Sequence, residues 1–194
     1  ITAALVNQIA SELSIPFTVG GGIRTLDDFY LVLGAGADKV SVNSAAILKP
    51  ELISEGAKRF GSQCVVVSMD VRRSPDGLWQ VYSHGGRQPT QMEAVAWARR
   101  AEALGAGELV VNAIHTDGMR SGFDVGLTRA VAEAVSIPVI ASGGAGKAAD
   151  FEAVLKAGKA DGALAASIFH KKLLRIPDLK QQLAASGLAI RSER

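Results

Sequence analysis

The chain has one cysteine among its 194 residues, and that scarcity excludes a good deal. No internal disulfide framework can form, and a lone thiol cannot assemble a cysteine metal site. Cys64 opens the apolar run CVVVSM, so it reads as a buried core thiol of a protein kept in a reducing, cytoplasmic setting. Aromatics make up only 5%, and the three histidines, His84, His115 and His170, are too scattered to suggest a metal cluster; no metal and no cofactor is expected. No apolar run reaches the roughly 18 residues of a membrane span, and no signal-peptide pattern is visible, so no membrane role is expected. Charge is close to balanced at +2, with no basic block interleaved with aromatics, which leaves a nucleic-acid partner unsupported. Neither a nucleophile-elbow pattern nor GxGxxG occurs, so a serine hydrolase and a dinucleotide binder are both unsupported.

What the chain does have is a hydrophobic content of 48% and 21 glycines, spread along alternating strand and helix patterns. Short β-branched runs fall at Phe17–Gly21, Lys39–Asn43, Cys64–Asp70, Glu108–Ala113, Val139–Ser142 and Asp161–Ala165. Amphipathic stretches near Ala4–Leu13, Leu26–Gly34, Pro50–Phe60, Gln91–Leu104, Val125–Val135, Ala148–Ala157 and Pro177–Ser186 predict helices. Gly36-Ala37 and Gly105-Ala106 read as helix C-caps leading into strands. Such alternation predicts a parallel sheet with right-handed crossovers in one domain over residues 1–194. The segment Arg72–Thr90 interrupts it, and its Pro75-Asp76-Gly77 turn predicts an inserted β-hairpin.

The chain also repeats itself. The stretch from Ser14 aligns with the stretch from Ser136 at an offset of 122 residues: Ile15-Pro16 with Ile137-Pro138, Gly21-Gly22 with Gly143-Gly144, Asp28-Phe29 with Asp150-Phe151. After Lys159 the offset rises by one, so that Asp38 meets Asp161 and Ser44 meets Ser167. Two four-strand halves predict an α/β fold, a (β/α)8 TIM barrel built from two half-barrel repeats. On this count the residues present supply strands three to eight. Strand one and most of strand two would precede the chain, with Ile1-Thr2-Ala3 the tail of strand two.

Each repeat places a glycine turn after one strand and a serine after the next. Bare backbone N–H groups at Gly22 and Gly144, with short helices beginning at Ser44 and at Ala166-Ser167, are the pieces of a phosphate grip. One copy alone is equally well read as turn shaping and helix capping; two matched copies favour a substrate with a phosphate at each end. Asp70 ends an apolar strand at the expected catalytic rim, as a turn cap or as an acid–base group. Asn43 and Ser142 point to the same rim, and Asp117-Gly118 is a turn or an approach to a phosphate or ribose hydroxyl. Lys39 and Glu108 begin their strands on the opposite face, where an ordinary ion pair is the plain reading.

IPFTVGGGI, GADKVSVNSAA, FGSQCVVVSMD, GAGELVVNAI, DGMRSGFD, IASGGAGK and DGALAASIFH follow one another from Pro16 to His170. Together they resemble the cyclase subunit of imidazole glycerol phosphate synthase. The resemblance implies ring closure in histidine biosynthesis. Ammonia is added to the ribulosyl form of phosphoribosylformimino-AICAR phosphate, yielding imidazole glycerol phosphate and AICAR. It makes Asp70 one of two catalytic aspartates; the other, with a lysine on the following loop, belongs to strand one. It assigns one phosphate to Gly22, Asn43 and Ser44, where the family commonly has threonine at Ser44. The other phosphate goes to Asp117, Gly118, Gly143, Gly144, Ala166 and Ser167. It turns Lys39 and Glu108 into part of an ammonia entrance, with Asp38 at the interface of a glutaminase partner in a heterodimer. Three other readings stand beside it: the bisphosphate isomerase one step earlier, an ammonia-using sugar-modification paralogue, and a non-catalytic phosphate-binding scaffold.

Overall fold

Along the strand β3 (Val65–Arg73) two sets of side chains alternate, and the alternation organises the molecule. Val65, Val67, Met69 and Val71 are fully buried and join one apolar cluster with residues of the helices, whereas Ser68 and Asp70 face the other way. A computed structural model describes residues 2–191. The same division runs through β1 (Thr18–Gly20), β2 (Lys39–Val42), β6 (Glu108–Ala113) and β7 (Val139–Ser142). Val19, Val40, Val42, Leu109, Val111, Val139 and Ala141 are buried, while their alternates Gly20, Ser41, Val110, Asn112 and Ile140 are half-buried. With β8 (Gly162–Leu164), the parallel strands follow the order β1-β2-β3-β6-β7-β8 and curl into a half-barrel. Helices cover its outer face, and the alternates, polar Ser41, Ser68, Asp70 and Asn112 together with apolar Val110 and Ile140, line its inner face.

The helices between strands are α2 (Leu26–Gly34), α3 (Ser44–Leu48), α4 (Glu51–Phe60), α5 (Ala94–Ala103), α6 (Val125–Ala132) and α7 (Ala148–Lys156), with α1 (Ala3–Glu12) ahead of β1. The short α8 (Ser167–His170) and then α9 (Ile176–Ala185) follow β8. Phe29, Leu52, Ile53, Trp97 and Leu127 supply the largest buried side chains of the helical layer. Gly36 and Gly105 take left-handed backbone angles (φ 108 and 104), and each closes its helix in the same way. Gly36 donates to Leu33 and Ala37 to Val32; Gly105 donates to Glu102 and Ala106 to Ala101. In the second repeat the residue after Gly158 is Lys159, which itself adopts φ 55. Ala160 there donates to Val154 O, as Ala37 does to Val32 O. The extra residue in the offset is this left-handed lysine.

Two expectations need correcting at the start of the chain and at Cys64. Thr2 and Ala3 do not end a strand: Thr2 caps α1, its hydroxyl accepting from the Leu5 N–H, and Ala3 is the first helical residue. Ile1 lies outside the described residues. Cys64 is half-buried, because it closes a 3-10 turn (Ser62–Cys64) just before β3 begins. The predicted hairpin is present and larger than its sequence signals. β3 runs on past Asp70 to Arg73 and pairs antiparallel with β4 (Trp79–Ser83), which pairs with β5 (Gln88–Glu93). Residues 91–93, expected in the following helix, belong to β5, and Glu93 caps α5 through its carboxylate.

Candidate active site

Asp70 is only 7% exposed, and both of its carboxylate oxygens are held by amides from neighbouring strands. Asn43, the residue after β2, donates from Nδ2 to Oδ2 at 3.0 Å; Asn112 on β6 donates from Nδ2 to Oδ1 at 2.9 Å. The register explains why these three meet: Asp70 pairs with Asn112, and Val42 pairs with Val67, so each amide lies one strand away on the inner face. A turn cap would accept backbone N–H groups. Asp70 instead lies inside a strand and is gripped by side chains, so the capping reading is set aside. Each oxygen keeps a further lone pair, so the clamp fixes the carboxylate without exhausting it. The clamping role of Asn112 was not foreseen, since it depends on which strand lies next to β3.

Gly22, Asn43 and Ser44, expected to share a phosphate, do line one cavity of about 780 Å³, together with Gly20, Gly21, Ser41, Ser68, Arg24 and the hairpin residues His84 and Gly85. Gly22 adopts φ 81, and the space where a Cβ would sit is open. Its backbone can therefore be approached closely by a ligand. Ser44 begins α3, and its hydroxyl accepts the His84 N–H at 2.7 Å.

The second glycine turn has the same backbone (φ 88 at Gly143, φ 104 at Gly144) in a tighter setting. Both glycines are buried against the loop after β6. Gly122 donates its N–H to Gly144 O at 2.8 Å, and the Thr116 hydroxyl donates to Gly143 O at 3.2 Å. A Cβ at Gly143 would come within 2.6 Å of Ala113 O, so the close packing itself demands glycine. Ser142 pairs with Asn112 in register, Asp117 and Gly118 (φ 75) are exposed on the covering loop, and Ala166-Ser167 open α8 as expected.

At the other end of the strands Lys39 Nζ meets Glu108 Oε2 at 2.6 Å, reaching across β3, with the side chains 29% and 16% exposed. Asp38 accepts the Phe17 N–H at 2.7 Å, just as Asp161 accepts that of Val139 at 2.9 Å in the second repeat. A recess of about 440 Å³ lies beside Asp38, walled by Leu13, Ile15 and Phe17. Among the described residues no group of three or more His, Cys, Asp or Glu is placed to hold a metal ion, and no helix is long and apolar enough to cross a membrane.

A family model described as histidine biosynthesis protein matches residues 1–175. The chain is also similar to proteins named imidazole glycerol phosphate synthase subunit HisF. That of Lysinibacillus sphaericus is 57% identical over 189 residues, 96% of this chain and 75% of the relative. That of Geobacillus thermodenitrificans is 55% identical over 188 residues, and that of Bacillus licheniformis 53% over 188, each with the same coverage of 96% and 75%.

Proposed function

Because the chain belongs to the histidine biosynthesis protein family, we propose that it is the cyclase subunit of imidazole glycerol phosphate synthase. The reaction is closure of the imidazole ring with ammonia: the ribulosyl form of phosphoribosylformimino-AICAR phosphate gives imidazole glycerol phosphate and AICAR. The observation that carries this reading is the Asp70 carboxylate, clamped by Asn43 and Asn112 beside a cavity walled by a glycine turn and Ser44. Ring closure requires protons to leave the attacking nitrogen and to reach the departing groups, and a fixed carboxylate with free lone pairs can relay them. β3 lies between the β1–β2 pair on one side and β6, β7 and β8 on the other, so Asp70 stands between the two repeats. A substrate with one phosphate on Gly22, Asn43 and Ser44 and the other on Asp117, Gly118, Ser142–Gly144 and Ala166-Ser167 would lie across it.

The relatives are named as subunits, and this chain too is read as one part of a complex. Its partner on this reading is a glutaminase that delivers ammonia to the strand N-termini, where the Lys39–Glu108 pair stands on the inner face and the recess beside Asp38 offers a docking place. Residues 1–194 are read as one barrel domain working in a reducing, cytoplasmic setting. The test supplies the intact protein with ammonium salt and each of three substrates: the bisphosphate above, its ribosyl precursor, and a sugar primed for amidination. Imidazole glycerol phosphate from the first alone supports the reading. Turnover of either of the others replaces it with the isomerase or the sugar-modifying enzyme.

A further inference from the structure

The β4–β5 hairpin enters none of the assignments above, yet its tip reaches into the first phosphate cavity. His84, Gly85 and Gly86 are all left-handed (φ 55, 67 and 77), and the turn closes with the Arg87 N–H donating to Ser83 O at 3.1 Å. The first N–H of this turn, that of His84, donates to the hydroxyl of Ser44, 40 residues away in sequence, at 2.7 Å. The base of the hairpin is also anchored, since Trp79 Nε1 donates to Asp124 Oδ2 at 3.2 Å. Placement of the His84 amide is thus set by a strand pair held at both ends.

We propose that His84 is a positioning residue for phosphate recognition, its backbone N–H fixing the Ser44 hydroxyl as a donor toward the cavity. A hydroxyl offers one donor and two acceptor directions. With the His84 N–H filling one acceptor direction, the Ser44 proton cannot point at the hairpin and turns toward the cavity that both residues line. An incoming group then meets an O–H ready to donate. A charged phosphate oxygen accepts such a donor more strongly than a neutral sugar hydroxyl does, so the arrangement favours phosphate. The contact requires residue 84 to hold a positive φ while Gly85 and Gly86 turn the chain back to β5. Histidine and asparagine tolerate that region, and a β-branched residue resists it.

The inference rests on Ser44 being a phosphate ligand, and the experiment separates the two claims. Inorganic phosphate is titrated into the intact protein and followed by amide chemical shifts near Gly22 and Ser44. The variants are Ser44→Ala, His84→Asn, His84→Val and the double substitution Ser44→Ala/His84→Val. Ser44→Ala should weaken phosphate by about tenfold, the loss of one hydrogen bond to a charged group. His84→Asn should bind like the wild type, because it keeps the turn and the N–H. His84→Val should weaken phosphate to a similar extent on its own and add nothing when Ser44 is already alanine. An unchanged affinity in Ser44→Ala removes Ser44 from the phosphate site and the inference with it. With Ser44→Ala weakened, three results each overturn the role of His84 alone. They are a His84→Val protein that binds normally, one whose loss persists without the Ser44 hydroxyl, and a His84→Asn protein as weak as His84→Val.

Discussion

On the proposed reading the Asp70 side chain carries the chemistry, and its neighbours set how it can be tested. Replacing it by asparagine would leave two donor amides facing a third amide. The Asn43 Oδ1 atom is shielded from solvent and has no protein donor, so turning the Asn43 amide over would let it accept from the amide introduced at position 70. Asp70→Asn should therefore fold normally and bind phosphate within a few-fold of wild type. Turnover should fall by about 10²–10⁴, the usual worth of acid–base assistance. Near-normal turnover with ammonium salt would demote Asp70 to a structural role. Asp70 itself was legible in the sequence because a carboxylate ending an apolar run is conspicuous. Its partner Asn112 was not, since a strand's neighbour across a register is invisible in the strand's own residues. The same holds for His84 and Ser44, whose contact exists only once a hairpin has folded back over α3.

Elements repeat more faithfully than residues do. Asp28 takes the Arg24 and Thr25 N–H groups at 2.8 and 2.9 Å ahead of α2, and Asp150 takes those of Gly146 and Lys147, both at 2.9 Å, ahead of α7. Removing either carboxylate by alanine should cost about 1 kcal/mol of stability, as loss of a helix cap does. Urea unfolding at pH 7 measures it, and an unchanged midpoint in either variant would remove that carboxylate from the stability of its helix. The Asp28 pair also carries a pH signature. The hydrogen bond from the Arg24 amide, with those from Thr25, holds the Asp28 carboxyl below its usual 3.8. A depressed carboxyl stabilises fully above its unfolded value and loses that contribution as pH falls through its folded one. The gap between wild type and Asp28→Ala should accordingly close on acidification below about pH 4 and stay constant above about pH 6. A gap independent of pH would show that the cap does not depend on the charge. Most elements were readable from alternation and capping signals, Leu26–Gly34 to the residue. The misreadings fall where two signals compete. Thr2-Ala3, read as the tail of a strand, instead caps and opens α1, and Gln91–Glu93 continues the amphipathic pattern of α5 while its backbone pairs with β4.

Across the whole half-barrel, the Lys39–Glu108 pair spans three strands at the end opposite Asp70. A partly exposed pair adds only about 0–1 kcal/mol, so its position matters more than its stability. If it guards an ammonia entrance, Lys39→Ala should depress glutamine-driven turnover with the partner subunit, or uncouple it from glutamine hydrolysis, while ammonium-driven turnover changes little. Equal losses in both assays would place Lys39 in the integrity of the fold instead. The repeat made this architecture visible at the level of the sequence, but it hid an asymmetry. The glycines of the first copy open onto a cavity, and those of the second lie pressed beneath a neighbouring loop. Finally, the division of the strands into an outward set packed under helices and an inward set that includes Ser41, Ser68, Asp70 and Asn112 has a consequence for how such a protein can change. Val65, Val67, Met69 and Val71 of β3 answer to the packing of helices and, on the proposed reading, Ser68 and Asp70 to the ligand, so the two demands are written in separate letters of the same word. New chemistry can be drafted on one set without erasing the fold recorded in the other.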